Sequence, residues 1–109
     1  MPWQSDRGPA GVKRMMADGL IAAEHPRLTS LGAATLIGVE GRRSDDTTRR
    51  VLAVRALDPD GSLTPWSFLG ADVRAGWVTT LDPRTALACW SEQEPKQQRV
   101  RIARLRRRA

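Results

Sequence analysis

The sequence predicts an α+β domain: a short N-terminal helical part, a small antiparallel meander or barrel, then a C-terminal helix and a basic tail. Three observations point there. An amphipathic run over 9–18 ends in Gly19, apolar residues alternate over 50–57 up to a turn sequence, and Asp82-Pro83 precedes apolar residues at helical spacing. A length of 109 residues is one domain without room for a second core, which excludes a two-domain enzyme. Hydrophobic residues at 40% and charged residues at 28% match ordinary globular usage, and no apolar run nears the roughly 20 residues of a membrane span. The first residues lack an apolar stretch behind a basic one, and a single cysteine offers no internal disulfide, so the expected location is cytoplasmic.

Taken in order, residues 9–18 place Val12, Met15 and Met16 on one side and Lys13 and Arg14 on the other, with Gly19 as the left-handed residue that ends a helix. Residues 20–24 read as extended until Pro26 interrupts. Thr29 or Ser30 can cap a helix from Leu31, with Leu31, Ala34 and Ile37 three apart, yet Thr35, Leu36, Ile37 and Val39 equally suit a strand. The stretch 31–40 therefore stays open between helix and strand. After a polar segment at 41–47, Leu52, Val54 and Ala56 face one way and Ala53 and Arg55 the other. Asp58-Pro59-Asp60-Gly61 carries the residues of a type I turn, so a hairpin follows. Its second arm, 62–69, sets Trp66 and Phe68 on one face, and Pro65, lacking a donor, assigns it to an edge.

Residues 70–76 connect to a short strand at 77–81. Asp82 then caps and Pro83 opens a helix whose apolar set is Ala86, Leu87 and Trp90. Trp66, Trp77 and Trp90 fall on the apolar faces of their own elements and are expected to share a core between sheet and helix; Trp3, among polar residues, covers an edge of that core or meets a partner. From Lys96 onward strand and helix both fit. Val100, Ile102 and Leu105 are expected to pack on the body, leaving Arg106, Arg107 and Arg108 as a free end.

The net charge of +6 is unevenly placed. Lys96, Arg99, Arg101, Arg104, Arg106, Arg107 and Arg108 fall in residues 96–109 with no acid among them, so this tail carries +7. Residues 1–95, the folded domain, hold 11 cations against 12 carboxylates. Sixteen of the 18 cations are Arg, whose planar fork suits phosphate and stacks on bases, and Arg42, Arg43, Arg49 and Arg50 around the polar segment extend such a surface.

Catalytic material is sparse. His25, next to Pro26, reads as a turn residue, and Cys89, between Ala88 and Trp90, reads as a buried small apolar residue. One His and one Cys make no zinc cluster. Asp45-Asp46 and the pair Asp58 and Asp60 stand in turn contexts, the first beside Arg49 and Arg50 as local ion-pair partners, and no Gly-rich phosphate loop is present. The chain is expected not to be an enzyme and to need neither cofactor nor metal.

The run Val12-Lys-Arg-Met15-Met-Ala-Asp-Gly19-Leu-Ile21, followed after six residues by Leu28-Thr29-Ser-Leu-Gly32-Ala-Ala-Thr-Leu36, resembles the second half of a winged-helix DNA-binding domain of bacterial regulators. The resemblance covers about 25 residues, lacks the usual first helix and carries Pro26 in a shortened wing. It implies Lys13 and Arg14 on a recognition helix, Arg27 on the wing, and a next helix beginning within Leu28-Thr29-Ser-Leu-Gly32.

The function expected first is a small non-enzymatic nucleic-acid-binding protein, DNA favoured over RNA, held by Arg-rich phosphate contacts. The alternative is a structural or assembly subunit of a larger complex, such as a phage particle, whose basic tail docks on an acidic protein surface. That alternative predicts an ordered tail and an exposed apolar patch on the isolated chain. A homodimer or larger assembly is compatible with either.

Overall fold

Alternation at period two, not helical spacing, governs the described chain. The computed structural model describes residues 19–93 and 96–107. Its elements are all strands: β1 (Leu20–Leu31), β2 (Ala34–Arg43), β3 (Asp46–Leu57), β4 (Ser67–Leu69), β5 (Val73–Asp82), β6 (Thr85–Gln93) and β7 (Gln98–Arg106). The α+β expectation is thus corrected to all-β. The helix expected over 9–18, with Lys13 and Arg14, lies outside the described residues, as do Trp3 and Arg108.

The strands form two antiparallel meanders, one ordered β1-β2-β3-β4 and the other β5-β6-β7. They pack face to face around one core, with Leu31, Leu36, Leu52 and Val54 from the first sheet meeting Val73, Ala86, Ala88 and Trp90 from the second. At Gly76 an added Cβ would stand 3.0 Å from Leu52 Cδ1, so the missing side chain lets β5 lie close over β3. A second apolar cluster, Leu20, Ile37, Val39 and Ala53, occupies the other face of the first sheet and is roofed by Trp66 and Phe68.

Each lost helix has a local reason. Leu31 and Ala34 are not successive turns of a helix but the paired ends of β1 and β2, joined through Gly32 and Ala33. Gly32 has φ +62°, at the first central position that a type II′ hairpin turn reserves for glycine. At Asp82 the side chain caps a backbone N–H, as expected, but the donor is Arg84 N at 2.8 Å and the chain reverses, pairing Asp82 with Thr85. Ala86 and Trp90, four residues apart, satisfy both periods; Leu87 turns to the opposite face.

The tail is not a free segment. β7 pairs with β6 from Thr85↔Arg106 to Gln93↔Gln98, and only Ala103 and Leu105 reach the core. Val100 and Ile102, expected to pack on the body, face away from it at 71% and 69% exposure. In the first sheet the turn at 58–61 forms as read, with Gly61 N donating to Asp58 O at 2.9 Å. The arm beyond it makes an isolated bridge, Leu63 to Leu57, and forms a strand over Ser67–Leu69, at an edge, as Pro65 implied.

β1 carries two bulges in succession. Ile21, Glu24 and Arg27 oppose Arg42, Glu40 and Gly38, so three steps on β1 twice match two on β2. Ala22 and His25, the residues taken up by these bulges, both have φ +53°. His25 is therefore a bulge residue in a strand, not a turn residue.

Candidate functional site

Two surfaces stand out. The first is the outer face of the second sheet. Register places Trp77, Cys89 and Ile102 in one row across β5, β6 and β7, with Ser91 and Val100 paired in the row beside it and Leu87 and Arg104 on the other side. Trp77 is 53% exposed and Leu81 54%, close to the levels at Val100 and Ile102. Among the described residues no other element covers these strands on this side, apart from the Arg27 side chain at the Trp77 ring, and the three rows hold no carboxylate, while Arg104 and Arg106 supply cations along β7. The expectation that all three tryptophans share one core is corrected here: Trp90 is buried, Trp66 roofs the outer cluster of the first sheet, and Trp77 stands on open surface. Cys89 is half-buried in the same row.

The second surface is the open end of the sandwich. Arg42 and Arg50 are directly paired on β2 and β3, on the face that carries Glu40 and Leu52. Arg50 Nη1 donates to Glu24 Oε1 and Nη2 to Glu40 Oε1, each at 3.3 Å. Glu40 is only 2% exposed. Its other oxygen accepts from Gly76 N at 3.4 Å and stands 3.6 Å from His25 Nδ1. The first bulge brings Glu24 onto this face. A cleft of about 500 Å³ opens here, with Arg42, Thr48 and Arg50 on one side and Asp72, Arg74 and Gln93 on the other.

The cations singled out in the sequence part into different settings. Arg27 is half-buried, its guanidinium 5.2 Å from the Trp77 ring centre. Arg43 stacks 4.8 Å over Phe68 and gives Asp45 two hydrogen bonds of 2.8 Å, which hold that carboxyl below its usual range. Arg49 is exposed near Asp46, whose carboxyl is lowered chiefly by the Thr48 hydroxyl. Lys96 is exposed between β6 and β7, and Arg99 lies on β7 opposite Glu92.

Arg101 Nε donates to Glu92 Oε1 at 3.2 Å, and Arg107 gives Asp58 two hydrogen bonds of 2.7 and 3.2 Å. The seven tail cations are thus not one phosphate-seeking set: Arg101 and Arg107 are spent inside the fold. Arg104 and Arg106 remain on the outer face, and Arg42 at the cleft. Arg74 was missed in the sequence because it sits in a stretch read as a plain connection, where no alternation marks its face. The segment Leu28–Leu36, which the winged-helix resemblance makes the start of a helix, is the β1–β2 hairpin.

Among the described residues no group of three or more His, Cys, Asp or Glu is placed to hold a metal ion, and no helix is long and apolar enough to cross a membrane. No family model matches the chain, and no curated protein or solved structure matches it.

Proposed function

We propose that this protein is a non-enzymatic structural or assembly subunit that acts in the cytoplasm and docks through the outer face of its second sheet on an acidic protein surface. The observation that carries this reading is the uncovered row Trp77, Cys89 and Ile102, with Val100 beside it and Arg104 and Arg106 along the same strand. Exposed aromatic and branched side chains joined across three strands favour burial against a partner, since each apolar group removed from water contributes roughly 25 cal/mol per Å². Arg104 and Arg106 outnumber the one carboxylate beside them, Asp82 in the row of Thr85 and Arg106, which makes an acidic rim the complementary one. The tail supports this reading too: it is a paired strand that turns Val100 and Ile102 to solvent.

Anilinonaphthalene sulfonate joins an apolar ring system to an anion and is the probe of choice. The folded chain should bind it. Ile102→Lys with Val100→Lys should abolish the signal, and Arg104→Glu with Arg106→Glu should weaken it, near-ultraviolet circular dichroism showing that each variant keeps its tertiary packing. A folded chain that does not bind the probe, or variants that bind it unchanged, would overturn the reading.

Nucleic acid, with DNA favoured over RNA, is a second reading, supported by Arg42 and Arg74 at the cleft and by Arg104 and Arg106 on the outer face. Binding of duplex DNA whose log affinity falls against log salt by about 0.9 per phosphate contact, and which is lost when these four are changed to Gln, would favour it over docking on protein.

A further inference from the structure

We propose that the cleft between Arg42 and Arg74 is a binding site for a tetrahedral oxyanion of the phosphoryl class. It lies apart from the docking face and stands independently of that assignment. The starting point is an electrostatic cost within the first sheet. Arg42 and Arg50 are directly opposed on neighbouring strands, an arrangement in which like charges destabilise the pairing.

The fold compensates only one of them. Arg50 is held by Glu24 and by the buried Glu40, with Gly76 N and His25 as further neighbours of Glu40, so its guanidinium is fixed in orientation from behind. Arg42 makes no hydrogen bond or ion pair with any described residue, and the same holds for Arg74, which reaches the cleft from the second sheet. Asp72 is the one carboxylate on the cleft wall. Around the cleft the three guanidiniums are matched in number by Asp72, Glu24 and Glu40, but both glutamates are engaged by Arg50, so the donors open to a ligand are those of Arg42 and Arg74 and the N–H groups of Arg50 not committed to Glu24 and Glu40.

The chemistry of the ligand follows from this arrangement. Guanidinium forks pair with oxyanions through two parallel hydrogen bonds. Here they come from three strands and two sheets, so an anion with oxygens pointing in several directions can engage more than one fork, which a planar carboxylate cannot do as fully. The volume, about 500 Å³, exceeds what a single phosphate occupies and leaves room for the molecule that bears it.

The test is thermal unfolding of the full chain with inorganic phosphate or pyrophosphate, each compared with sodium chloride at the same ionic strength. Pyrophosphate should raise the melting temperature saturably and beyond the chloride control. Arg42→Gln and Arg74→Gln should each weaken the apparent affinity about tenfold, whereas Arg104→Gln should leave it unchanged. Arg42→Gln should also melt higher than the parent without any anion, because the repulsion with Arg50 is relieved.

Equal stabilisation by chloride would mean plain screening and overturn the proposal, as would a pyrophosphate effect that survives both substitutions. Duplex DNA separates the sources of the phosphoryl group. If it displaces pyrophosphate, the oxyanion is a backbone phosphodiester; if it does not, the site takes a small phosphorylated compound. Loss of the pyrophosphate effect with the apolar-probe signal intact would sink this site and leave the docking reading standing.

Discussion

Arg107 Nη1 lies 2.7 Å from Asp58 Oδ1 and its Nη2 3.2 Å from Oδ2, so the residue that follows β7 is tied to the turn that follows β3. One partner belongs to each sheet. The two side chains are 33% and 27% exposed, which screens the pair, and a net contribution of about 1 kcal/mol is expected. Arg107→Ala and Asp58→Asn should each lower the urea stability by about 0.5–1.5 kcal/mol, and the double variant should lose less than the sum of the two. Strictly additive losses in that cycle would mean the pair contributes nothing.

A chain ending at residue 95 should not fold cooperatively. It lacks the whole of β7, leaving one edge of β6 unpaired and uncovering Ala86, Ala88 and Trp90 where Ala103 and Leu105 pack. The tail therefore cannot be removed merely to subtract its charge. Circular dichroism during heating is the check: a sharp transition near that of the full chain would show that β7 is dispensable.

Glu92 should make the protein acid-sensitive. Its carboxylate accepts hydrogen bonds from Trp90 Nε1 at 2.9 Å, Ala71 N at 3.0 Å and Arg101 Nε at 3.2 Å. The Trp90 hydrogen bond foremost, then the Ala71 amide and Arg101, hold its pKa below the ordinary glutamate value. A carboxyl depressed on folding contributes stability that is fully present above its unfolded pKa of about 4.3 and is lost as pH falls through the folded value. Urea midpoints measured from pH 7 down to 3 should fall in that window for the parent. For Glu92→Gln the unfolding free energy should start about 1–3 kcal/mol lower at pH 7, and the midpoint should fall less with acid.

Gly70→Ala should be among the costliest single changes. Gly70 has φ +77°, and a Cβ there would stand 2.5 Å from Trp90 Nε1 and 2.8 Å from Val73 Cγ2. The new methyl would push the indole away from Glu92 and strain the backbone as well, for a loss of about 2–4 kcal/mol by chemical denaturation. A loss under about 0.5 kcal/mol would contradict the close approach.

Of the first sheet, β3 and the turn that follows it were legible in the residues. The alternation of Leu52, Val54 and Ala56 and the turn at Asp58-Pro59-Asp60-Gly61 both appear where they were read. What misled was chemistry shared between structures. Asp82 followed by Pro83 bonds a backbone N–H two residues on, whether a helix or a hairpin follows, and the spacing of Ala86 and Trp90 is divisible into strand steps as well as helical ones.

The candidate sites were less legible still. Sequence shows that Val100 and Ile102 alternate but not which side of β7 meets the core, and that choice is made by Ala103 and Leu105 packing on the second sheet. Arg42 and Arg50 were noticed for their charge alone. Their opposition depends on the β2–β3 register, and Arg74 joins them only because the sheets stack.

The paired bulges of β1 set the phase of that strand. Ile21, Glu24, Arg27 and Leu31 all lie on the side of β1 that faces the second sheet, Ile21 at its exposed end, because each extra residue resets the alternation that residue number alone would give. Deleting the extra residue of either bulge, Ala22 or His25, would leave a one-to-one ladder with the faces of β1 unchanged, whereas deleting one residue from the regular pairing at 28–30 would turn the strand on one side of the deletion inside out. Length variation at this strand is thus tolerable at the two bulges, one residue at a time, and Glu24 keeps its place beside Arg50 in each case.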